Sequence, residues 1–172
     1  MQSILVIVDM QNDFVDGALG SPEAVAILEK VKAKRDGFAG KVYYTRDTHG
    51  EDYLATREGK YLPVPHCIKG SEGWQIVPSL TPRAGDRVVD KPTFGSTELV
   101  ELLLADNGSD PIESVTLVGV CTDICVISNA MLIKAALPEI DVVVDGSCCA
   151  GVSPESHDRA LASMKTCQII VE

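Results

Sequence analysis

The sequence predicts a single α/β domain in which a mostly parallel sheet is covered by helices on both faces. The chain has 172 residues, of which 45% are hydrophobic, and this size and composition suit one domain with a substantial core. Short apolar runs alternate along most of the chain with segments of helical spacing. Because the strands of a parallel sheet are buried on both faces, they are nearly continuous in apolar residues, and their alternation with helices indicates this fold class.

Six runs rich in aliphatic or aromatic residues are the predicted strands of this sheet. In chain order they are residues 3–9, 41–47, 86–91, 114–120, 140–145 and 168–172. Several of these runs end in a charged residue, which places polar groups where the strands leave the sheet.

The predicted helices lie between the strands and carry boundary signals. Ser followed by Pro opens the segments 21–36 and 153–165, because Ser caps a helix and Pro fits its first turn. A third helix is predicted over residues 96–108 and should stop at its glycine. A fourth is predicted over residues 122–137 and should stop before the proline that follows.

Residues 48–85 do not fit this alternation. The segment is rich in Gly, Pro and His. A long irregular insertion in a compact domain is often functional, so we expect this one to contribute to a site.

Charge and cysteine content exclude several classes of protein. A formal net charge of −10 argues against a nucleic-acid or membrane partner, because both need basic patches. The first apolar stretch is a poor signal peptide, since no Lys or Arg precedes it and Asp9 interrupts it. No apolar run reaches membrane-spanning length, and six cysteines in a chain this long do not form a small disulfide scaffold. We expect a cytoplasmic protein with free thiols, and we also expect a homo-oligomer.

Reactive side chains follow four of the predicted strands at the same edge of the sheet. Asp9 ends the first strand, Asp47 ends the second with His49 just past it, Lys91 ends the third, and Cys121 and Cys125 follow the fourth. In open α/β sheets, ligands bind beyond the carboxyl ends of the strands, where the strand order reverses. This edge is therefore the predicted position of an active site.

The two cysteines of LVGVCTDICVISNA, residues 117–130, could be metal ligands, one half of a disulfide, packing residues or a nucleophile. A reducing compartment disfavours the disulfide. A zinc site would need two further soft ligands at suitable spacing, and the adjacent pair Cys148–Cys149 lacks that spacing. Cys121 is interpreted as a small buried side chain. If Thr122 caps the following helix, Cys125 lies in its first turn, where unpaired N–H groups and the helix dipole stabilise a thiolate or an oxyanion. The residues alone leave both nucleophile and packing open for Cys125.

Two charged residues at the same edge are suitable partners for a nucleophilic thiol. Asp9 can accept the proton of Cys125 and later protonate a leaving amine, which is general acid–base catalysis by a carboxylate. Lys91 would supply a fixed positive charge that favours the ionised forms of both neighbours. Taken singly, Asp9 could be a solvated strand end and Lys91 a surface charge, but their occurrence with Cys125 at one edge favours catalysis.

Three motifs of the chain together resemble those of a known family. ILVIVDMQNDFVDGALG, VVDKPTFGSTEL and LVGVCTDICVISNAM are similar, in this order, to motifs of the isochorismatase-like cysteine hydrolases and, within that superfamily, of the nicotinamidases. The resemblance covers nearly the whole chain, so residues 1–172 are interpreted as one isochorismatase-like hydrolase domain. It implies a Rossmann-like, three-layer α/β/α fold whose six-stranded parallel sheet has the order 3-2-1-4-5-6.

The resemblance also implies a catalytic mechanism. By motif position Asp9, Lys91 and Cys125 form a triad, a cis peptide joins Val120 to Cys121, and the backbone N–H groups of Cys121 and Cys125 hold the oxyanion. The implied reaction is hydrolysis of the small-molecule amide nicotinamide to nicotinate and ammonia through a cysteine thioester. The alternatives are a related cysteine amidohydrolase for another small amide or carbamoyl compound, and a non-catalytic binding protein of the same fold.

A metal site is implied in the segment TRDTHGEDYLATREGKYLPVPHCIKGSEG, residues 45–73. Four side chains are the implied ligands: Asp47, His49, Glu58 and His66. For the position filled by Glu58, Glu51 and Asp52 are rivals. This donor set suits one divalent metal ion such as Zn²⁺, Fe²⁺ or Mn²⁺. The alternative is that both histidines are ordinary loop residues.

Aromatic walls around a flat ring are implied as well. Phe14 and Phe94 match positions that flank the ring, and Leu62 is a further candidate for substrate binding, with core packing as the alternative. Trp74 lies near the metal-binding segment, but no motif assigns it a role. Cys67 is interpreted as a packing residue.

Overall fold

Six strands form one parallel sheet in the computed structural model, which describes residues 1–172. The strands are β1 (Gln2–Val8), β2 (Lys41–Asp47), β3 (Arg87–Lys91), β4 (Ile112–Val120), β5 (Asp141–Ala150) and β6 (Ile170–Val171). Their spatial order is β3-β2-β1-β4-β5-β6, and every neighbouring pair is parallel. The predicted α/β class, strand number and strand order are confirmed.

Six α-helices pack around the sheet. They are α1 (Asn12–Val15), α2 (Pro22–Gly37), α3 (Arg57–Tyr61), α4 (Thr97–Ser109), α5 (Ile127–Ala136) and α6 (Pro154–Thr166). A π-helical turn, Thr122–Val126, leads from β4 into α5, and 3₁₀ turns at Tyr53–Ala55 and Pro78–Leu80 lie in the long segment between β2 and β3. None of the helices combines the length and the apolar character that a membrane crossing requires.

The core forms two layers, one on each face of the sheet. In β1, Ile4, Val6 and Val8 pack into one cluster while Leu5 and Ile7 pack into the other. The first cluster contains side chains of α4, α5 and α6, and the second contains side chains of α2. Burial on both faces explains why the sequence of β1 is continuously apolar and does not alternate with polar residues.

The predicted end of α4 is wrong. Gly108 lies inside the helix, which continues to Ser109. The N–H of Asp110 still donates to the carbonyl oxygen of Asp106 at 2.9 Å, so the helical hydrogen-bond ladder passes the glycine. Glycine favours a helix end but does not impose one when its backbone stays right-handed.

The predicted end of β5 is wrong as well, because the strand continues past Asp145 to Ala150. Asp145 and Ser147 suggest a turn in the sequence. In the structure the Asp145 carboxylate accepts the N–H of Ser147 at 3.1 Å and pairs with Lys34 at 2.8 Å. These contacts satisfy the polar groups, so the strand resumes after an irregular step.

Gly119 lets the ends of β1 and β4 lie against each other. Its φ is +116°, a backbone conformation that essentially only glycine adopts. A Cβ atom at this position would lie 2.2 Å from the carbonyl oxygen of Val8. Since Asp9 follows Val8 directly and Cys121 lies two residues beyond Gly119, this close approach brings two site segments together.

We predict opposite effects for Gly119→Ala and Gly108→Ala. The first forces a methyl group against the Val8 carbonyl, so the free energy of unfolding should fall by at least about 2 kcal/mol. The second adds a methyl group in open space within α4, so the free energy of unfolding should rise by up to about 1 kcal/mol. Chemical denaturation measures both, and wild-type stability of Gly119→Ala would show that these strand ends are not constrained as described.

Candidate active site

A buried lysine brings together the carboxylate and the thiol at the carboxyl ends of the central strands. The Nζ atom of Lys91 lies 2.7 Å from Asp9 Oδ2 and 3.6 Å from Cys125 Sγ. It also donates to the carbonyl oxygen of Thr93 at 3.0 Å and lies 3.5 Å from Asp47 Oδ1. Asp9 and Lys91 have no exposed surface, and Cys125 is 5% exposed. Three residues taken from three separate motifs therefore share one site.

The backbone turns sharply at Asp9, where β1 ends. Its φ of +50° lies in the left-handed region, which is uncommon for a residue with a side chain. Thr45 fixes this residue twice, since its carbonyl oxygen accepts the Asp9 N–H at 3.2 Å and its hydroxyl donates to Asp9 Oδ1 at 2.7 Å. The other carboxylate oxygen of Asp9 is thereby directed toward Lys91.

Burial and neighbouring charges set the proton affinities of the three groups. Burial raises the pKa of Asp9 above its ordinary value, against the lowering effect of Lys91. Burial also raises the pKa of the Cys125 thiol well above its ordinary range, and the Asp9 charge acts in the same direction. Burial alone would lower the pKa of the Lys91 ammonium. The neighbouring Asp9, Cys125 and Asp47 have the larger combined effect and raise this pKa above its ordinary value. Burial therefore acts on the Cys125 thiol against the expected stabilisation of a thiolate.

Cys125 lies in a π-helical turn that Thr122 does not cap. The carbonyl oxygen of Cys121 accepts the N–H of Val126 at 3.0 Å, which closes the turn. The Thr122 hydroxyl instead forms a 2.7 Å hydrogen bond with His157 Nδ1. The predicted cap is wrong because α6 passes close to the turn and supplies a partner that is distant in sequence.

Cys121 contributes to the site mainly through its position in the backbone. The peptide bond between Val120 and Cys121 is cis, as the resemblance implied. The backbone N–H of Cys121 makes no hydrogen bond to another backbone group. Its side chain is partly exposed, so the interpretation of Cys121 as a buried packing residue is only partly right.

Two carboxylates and two imidazoles converge beside Lys91. One ligand atom from each of four side chains lies within 4.8 Å of the others: Asp47, His49, Glu58 and His66. Glu58 is partly buried and the other three are buried. Glu51 and Asp52 are exposed, so Glu58 is the carboxylate that the fold brings to the histidines.

The second ring nitrogen of His66 is already engaged in a way that suits a metal ligand. His66 Nδ1 lies 2.8 Å from the carbonyl oxygen of Val64, so in the neutral ring Nδ1 carries the proton and Nε2 is free to coordinate. His66 Nε2 lies 3.4 Å from Asp47 Oδ2 and 3.7 Å from Glu58 Oε1. Buried nitrogen and carboxylate donors of this kind fit a divalent metal ion.

The short helix α3 carries Glu58 into this cluster. Thr56 caps the helix, since its Oγ1 accepts the N–H of Gly59 at 3.1 Å. A Cβ atom on Gly59 would lie 2.1 Å from the carbonyl oxygen of Tyr53. The absence of a side chain at Gly59 therefore lets the segment fold back closely enough for Glu58 to face the histidines.

Gln11 holds the backbone of Asp47, and sequence reasoning missed it. Its Oε1 accepts the N–H of Asp47 at 2.7 Å, and its Nε2 donates to the carbonyl oxygens of Asp47 at 2.9 Å and Trp74 at 2.8 Å. Gln11 has no exposed surface. The available signal was an amide three residues after the end of the apolar strand β1. A buried amide requires hydrogen-bond partners.

Asn129 is a second buried amide that sequence reasoning missed. Its Nδ2 donates to the carbonyl oxygens of Cys125 at 2.8 Å and Phe94 at 3.1 Å, and its Oδ1 accepts the N–H of Ser96 at 2.9 Å. These bonds tie the loop after Lys91 to the turn that carries Cys125.

One cavity of about 420 Å³ reaches both the thiol and the ligand cluster. Most of its lining is apolar, and Phe14, Leu62 and Phe94 are all part of it. Cys125, Glu58 and His66 are among its polar or reactive lining residues, together with Cys121 and Asp47. Cys125 and three of the candidate metal ligands therefore border the same space.

Two residues near this cavity pack and do not line it. Trp74 donates from Nε1 to Thr48 Oγ1 at 2.9 Å, and the guanidinium of Arg46 stacks 3.7 Å from its ring centre. Cys67 has no exposed surface, and its N–H donates to Asp13 Oδ2 at 2.8 Å. These contacts agree with the interpretation of Cys67 as a packing residue.

Three comparisons with known proteins extend over nearly the whole chain. A model of the Isochorismatase domain matches residues 3–172. The nicotinamidase/pyrazinamidase of Mycobacterium tuberculosis is 29% identical over 96% of this chain and 95% of its own length. The structure of the pyrazinamidase of Pyrococcus horikoshii in complex with zinc is 27% identical with a TM-score of 0.83, over 100% of this chain and 99% of that chain. The structure of N-carbamoylsarcosine amidase from Thermoplasma acidophilum is 26% identical with a TM-score of 0.78, over 100% and 96% of the two chains.

We predict that the protein binds one divalent ion and that Glu58→Ala weakens its affinity by at least about tenfold. Loss of residues that only orient ligands already lowers metal affinity about 10- to 100-fold, and loss of a ligand should do no less. Glu51→Ala removes an exposed carboxylate from the same segment and is the matched control, with wild-type affinity expected. Competition with a chromogenic chelator measures the affinities. Equal affinities of Glu58→Ala and the wild type would remove Glu58 from the ligand set.

Proposed function

The chain is a hydrolase of the isochorismatase family, and from that premise we propose that it is a nicotinamidase that converts nicotinamide to nicotinate and ammonia. The observation that carries the proposal is the single cavity that joins Cys125 to the candidate metal ligands. A pyridine carboxamide has a ring nitrogen at one side and an amide at the other. In the proposed complex the candidate metal site faces the ring nitrogen, Cys125 faces the amide, and the apolar walls of the cavity contact the ring.

The proposed reaction begins with proton transfer from Cys125 to Asp9. Burial raises the pKa of Asp9, which makes its carboxylate a better proton acceptor than an exposed aspartate. Lys91, 2.7 Å from Asp9 Oδ2 and 3.6 Å from the sulfur, stabilises the negative charge on either partner. The thiolate then attacks the amide carbon and forms a tetrahedral intermediate.

The backbone of the π-helical turn stabilises this intermediate in the proposed mechanism. The N–H groups of Cys121 and Cys125 donate to the oxyanion. In other enzymes, removal of one such hydrogen-bond donor lowers kcat by about 100- to 1,000-fold. Asp9 returns its proton to the leaving nitrogen, and ammonia departs. Water, deprotonated by Asp9, then hydrolyses the thioester and releases nicotinate.

The cluster of Asp47, His49, Glu58 and His66 would hold the metal ion, for which Zn²⁺, Fe²⁺ and Mn²⁺ all suit the donors. When bound, the ion supplies a Lewis-acid position for the ring nitrogen. Phe14 and Phe94 line the same cavity and would hold the flat ring between them. The chain thereby orients the carboxamide toward Cys125 before any bond changes.

A related amidohydrolase of a carbamoyl compound is the second candidate. The similarity to N-carbamoylsarcosine amidase at 26% identity favours it. Such a substrate has no ring nitrogen for a metal, so the clustered ligands at the cavity favour the first candidate.

The predicted cellular setting is also part of the proposal. All six cysteines are free, which supports a reducing compartment such as the cytoplasm. The homo-oligomeric state stays a prediction.

An ammonia-release assay separates the two candidate substrates. We predict hydrolysis of nicotinamide in preference to N-carbamoyl amino acids, and loss of the nicotinamide activity after chelation with recovery on adding Zn²⁺, Fe²⁺ or Mn²⁺. Preference for a carbamoyl compound, with no effect of the chelator, would favour the second candidate instead.

We predict that Cys125→Ala and Cys121→Ala differ sharply. Cys125→Ala removes the nucleophile, so kcat should fall by at least about a thousandfold. Cys121→Ala keeps the backbone N–H, so kcat should stay within about tenfold of wild type. Both variants should keep the wild-type Tm to within a few degrees. Substantial turnover by Cys125→Ala would contradict the nucleophile assignment.

A further inference from the structure

A hydrogen bond between Thr122 and His157 joins the turn that carries Cys125 to the first turn of α6. The Thr122 oxygen lies 2.7 Å from His157 Nδ1, and Thr122 has no exposed surface. Either tautomer of the imidazole can form the bond, because a hydroxyl both donates and accepts. Thr122 does not line the cavity, so it does not touch a substrate there.

A second hydrogen bond joins the same turn to the loop between β5 and α6. Asp123 Oδ1 accepts the N–H of Val152 at 3.1 Å. Gly151 makes the approach possible, since a Cβ atom there would lie 2.9 Å from the Cβ and 3.0 Å from the Cα of His157. Two successive residues of the turn are therefore anchored, Thr122 to α6 and Asp123 to the loop that precedes α6.

The turn that these contacts anchor is an irregular helical element. A π-helical turn is rare and, when present, is often found at functional sites. Here it is closed by Val126 N–H to the Cys121 carbonyl and Ile127 N–H to the Thr122 carbonyl. Threonine has few side-chain rotamers, so anchoring its hydroxyl also restricts its backbone.

We propose that Thr122 and His157 are positioning residues that hold the backbone N–H groups of Cys121 and Cys125 where the oxyanion forms. The inference deepens the proposed function and rests on its acyl-transfer step. It assigns the pair no contact with the substrate. Its effect should therefore fall on kcat, because the oxyanion exists only after the bound substrate has been attacked.

The test compares Thr122→Val, which keeps the shape and removes the hydroxyl, with His157→Ala. Asp158→Ala, at an exposed position of the same helix turn, is the matched control. Two substrates are used, nicotinamide and p-nitrophenyl acetate, and the rate of Cys125→Ala is subtracted as background. We expect kcat for both substrates to fall roughly 10- to 100-fold in the two test variants, as for small misplacements of catalytic groups. KM should stay within about twofold, and Asp158→Ala should match the wild type.

Alkylation by iodoacetamide distinguishes two causes of a lowered kcat: displacement of the N–H groups that hold the oxyanion, and displacement of the Cys125 sulfur. Alkylation consumes the thiol of Cys125 without forming an oxyanion. Peptide mapping should therefore show an unchanged rate of Cys125 alkylation in Thr122→Val. A fall equal to that of kcat would overturn the inference, because the variant would then have displaced the sulfur itself.

Imidazole offers a rescue that a general loss of stability would not allow. His157 lines a shallow groove of about 290 Å³, through which added imidazole can reach the position of the missing ring. Imidazole should restore kcat of His157→Ala at least in part and leave Thr122→Val unchanged. Absence of rescue together with a lowered Tm of His157→Ala would assign the pair a merely structural role.

The two substrates keep the inference distinct from the proposed function. If the wild type cleaves p-nitrophenyl acetate through Cys125 but does not cleave nicotinamide, the proposed substrate is wrong. The positioning role is then tested by kcat for the ester in the two test variants. Unchanged kcat for the ester in both test variants overturns the positioning role, whatever the result with nicotinamide. Absence of any Cys125-dependent turnover of either substrate would overturn both.

Discussion

The positive charge of Lys91, held entirely out of water, is the constraint on which the site depends. An ammonium without solvent is stable only when anionic or polar groups surround it. Asp9 and the Thr93 carbonyl contact it directly, and Asp47 and the Cys125 sulfur lie within 3.6 Å. The same contacts that compensate the buried charge of Lys91 therefore place the Asp9 carboxylate and the Cys125 thiol around one ammonium.

The strand order explains how this charge reaches partners that are distant in sequence. Lys91 ends β3, which is two strands away from β1, where Asp9 follows the last residue. Asp47 pairs with Lys91 at the end of the strand between them. On the other side of β1, Val8 pairs with Gly119 of β4. Parallel strands in register deliver all these carboxyl ends to one edge.

Asp47 links the two halves of the site. One of its carboxylate oxygens lies 3.5 Å from Lys91 Nζ, and the other lies 2.9 Å from His49 Nε2. Gln11 fixes its backbone from both sides. Asp47 therefore connects the Lys91 ammonium to the candidate metal ligands through one well-anchored side chain.

The sequence by itself predicted the fold class and most element positions, because apolar periodicity is a local property of the chain. The candidate triad and the candidate metal ligands, with Glu58 as one of three possible carboxylates, were implied by motifs that resemble those of a known family. Only the tertiary structure decided between Glu58 and its exposed rivals, gave Thr122 a partner in α6, and made burial the main influence on the Cys125 thiol. Each of these outcomes depends on which distant segments pack together and on how much water they exclude. Neither quantity is encoded in a local pattern, so the same residue types could equally have ended in solvent.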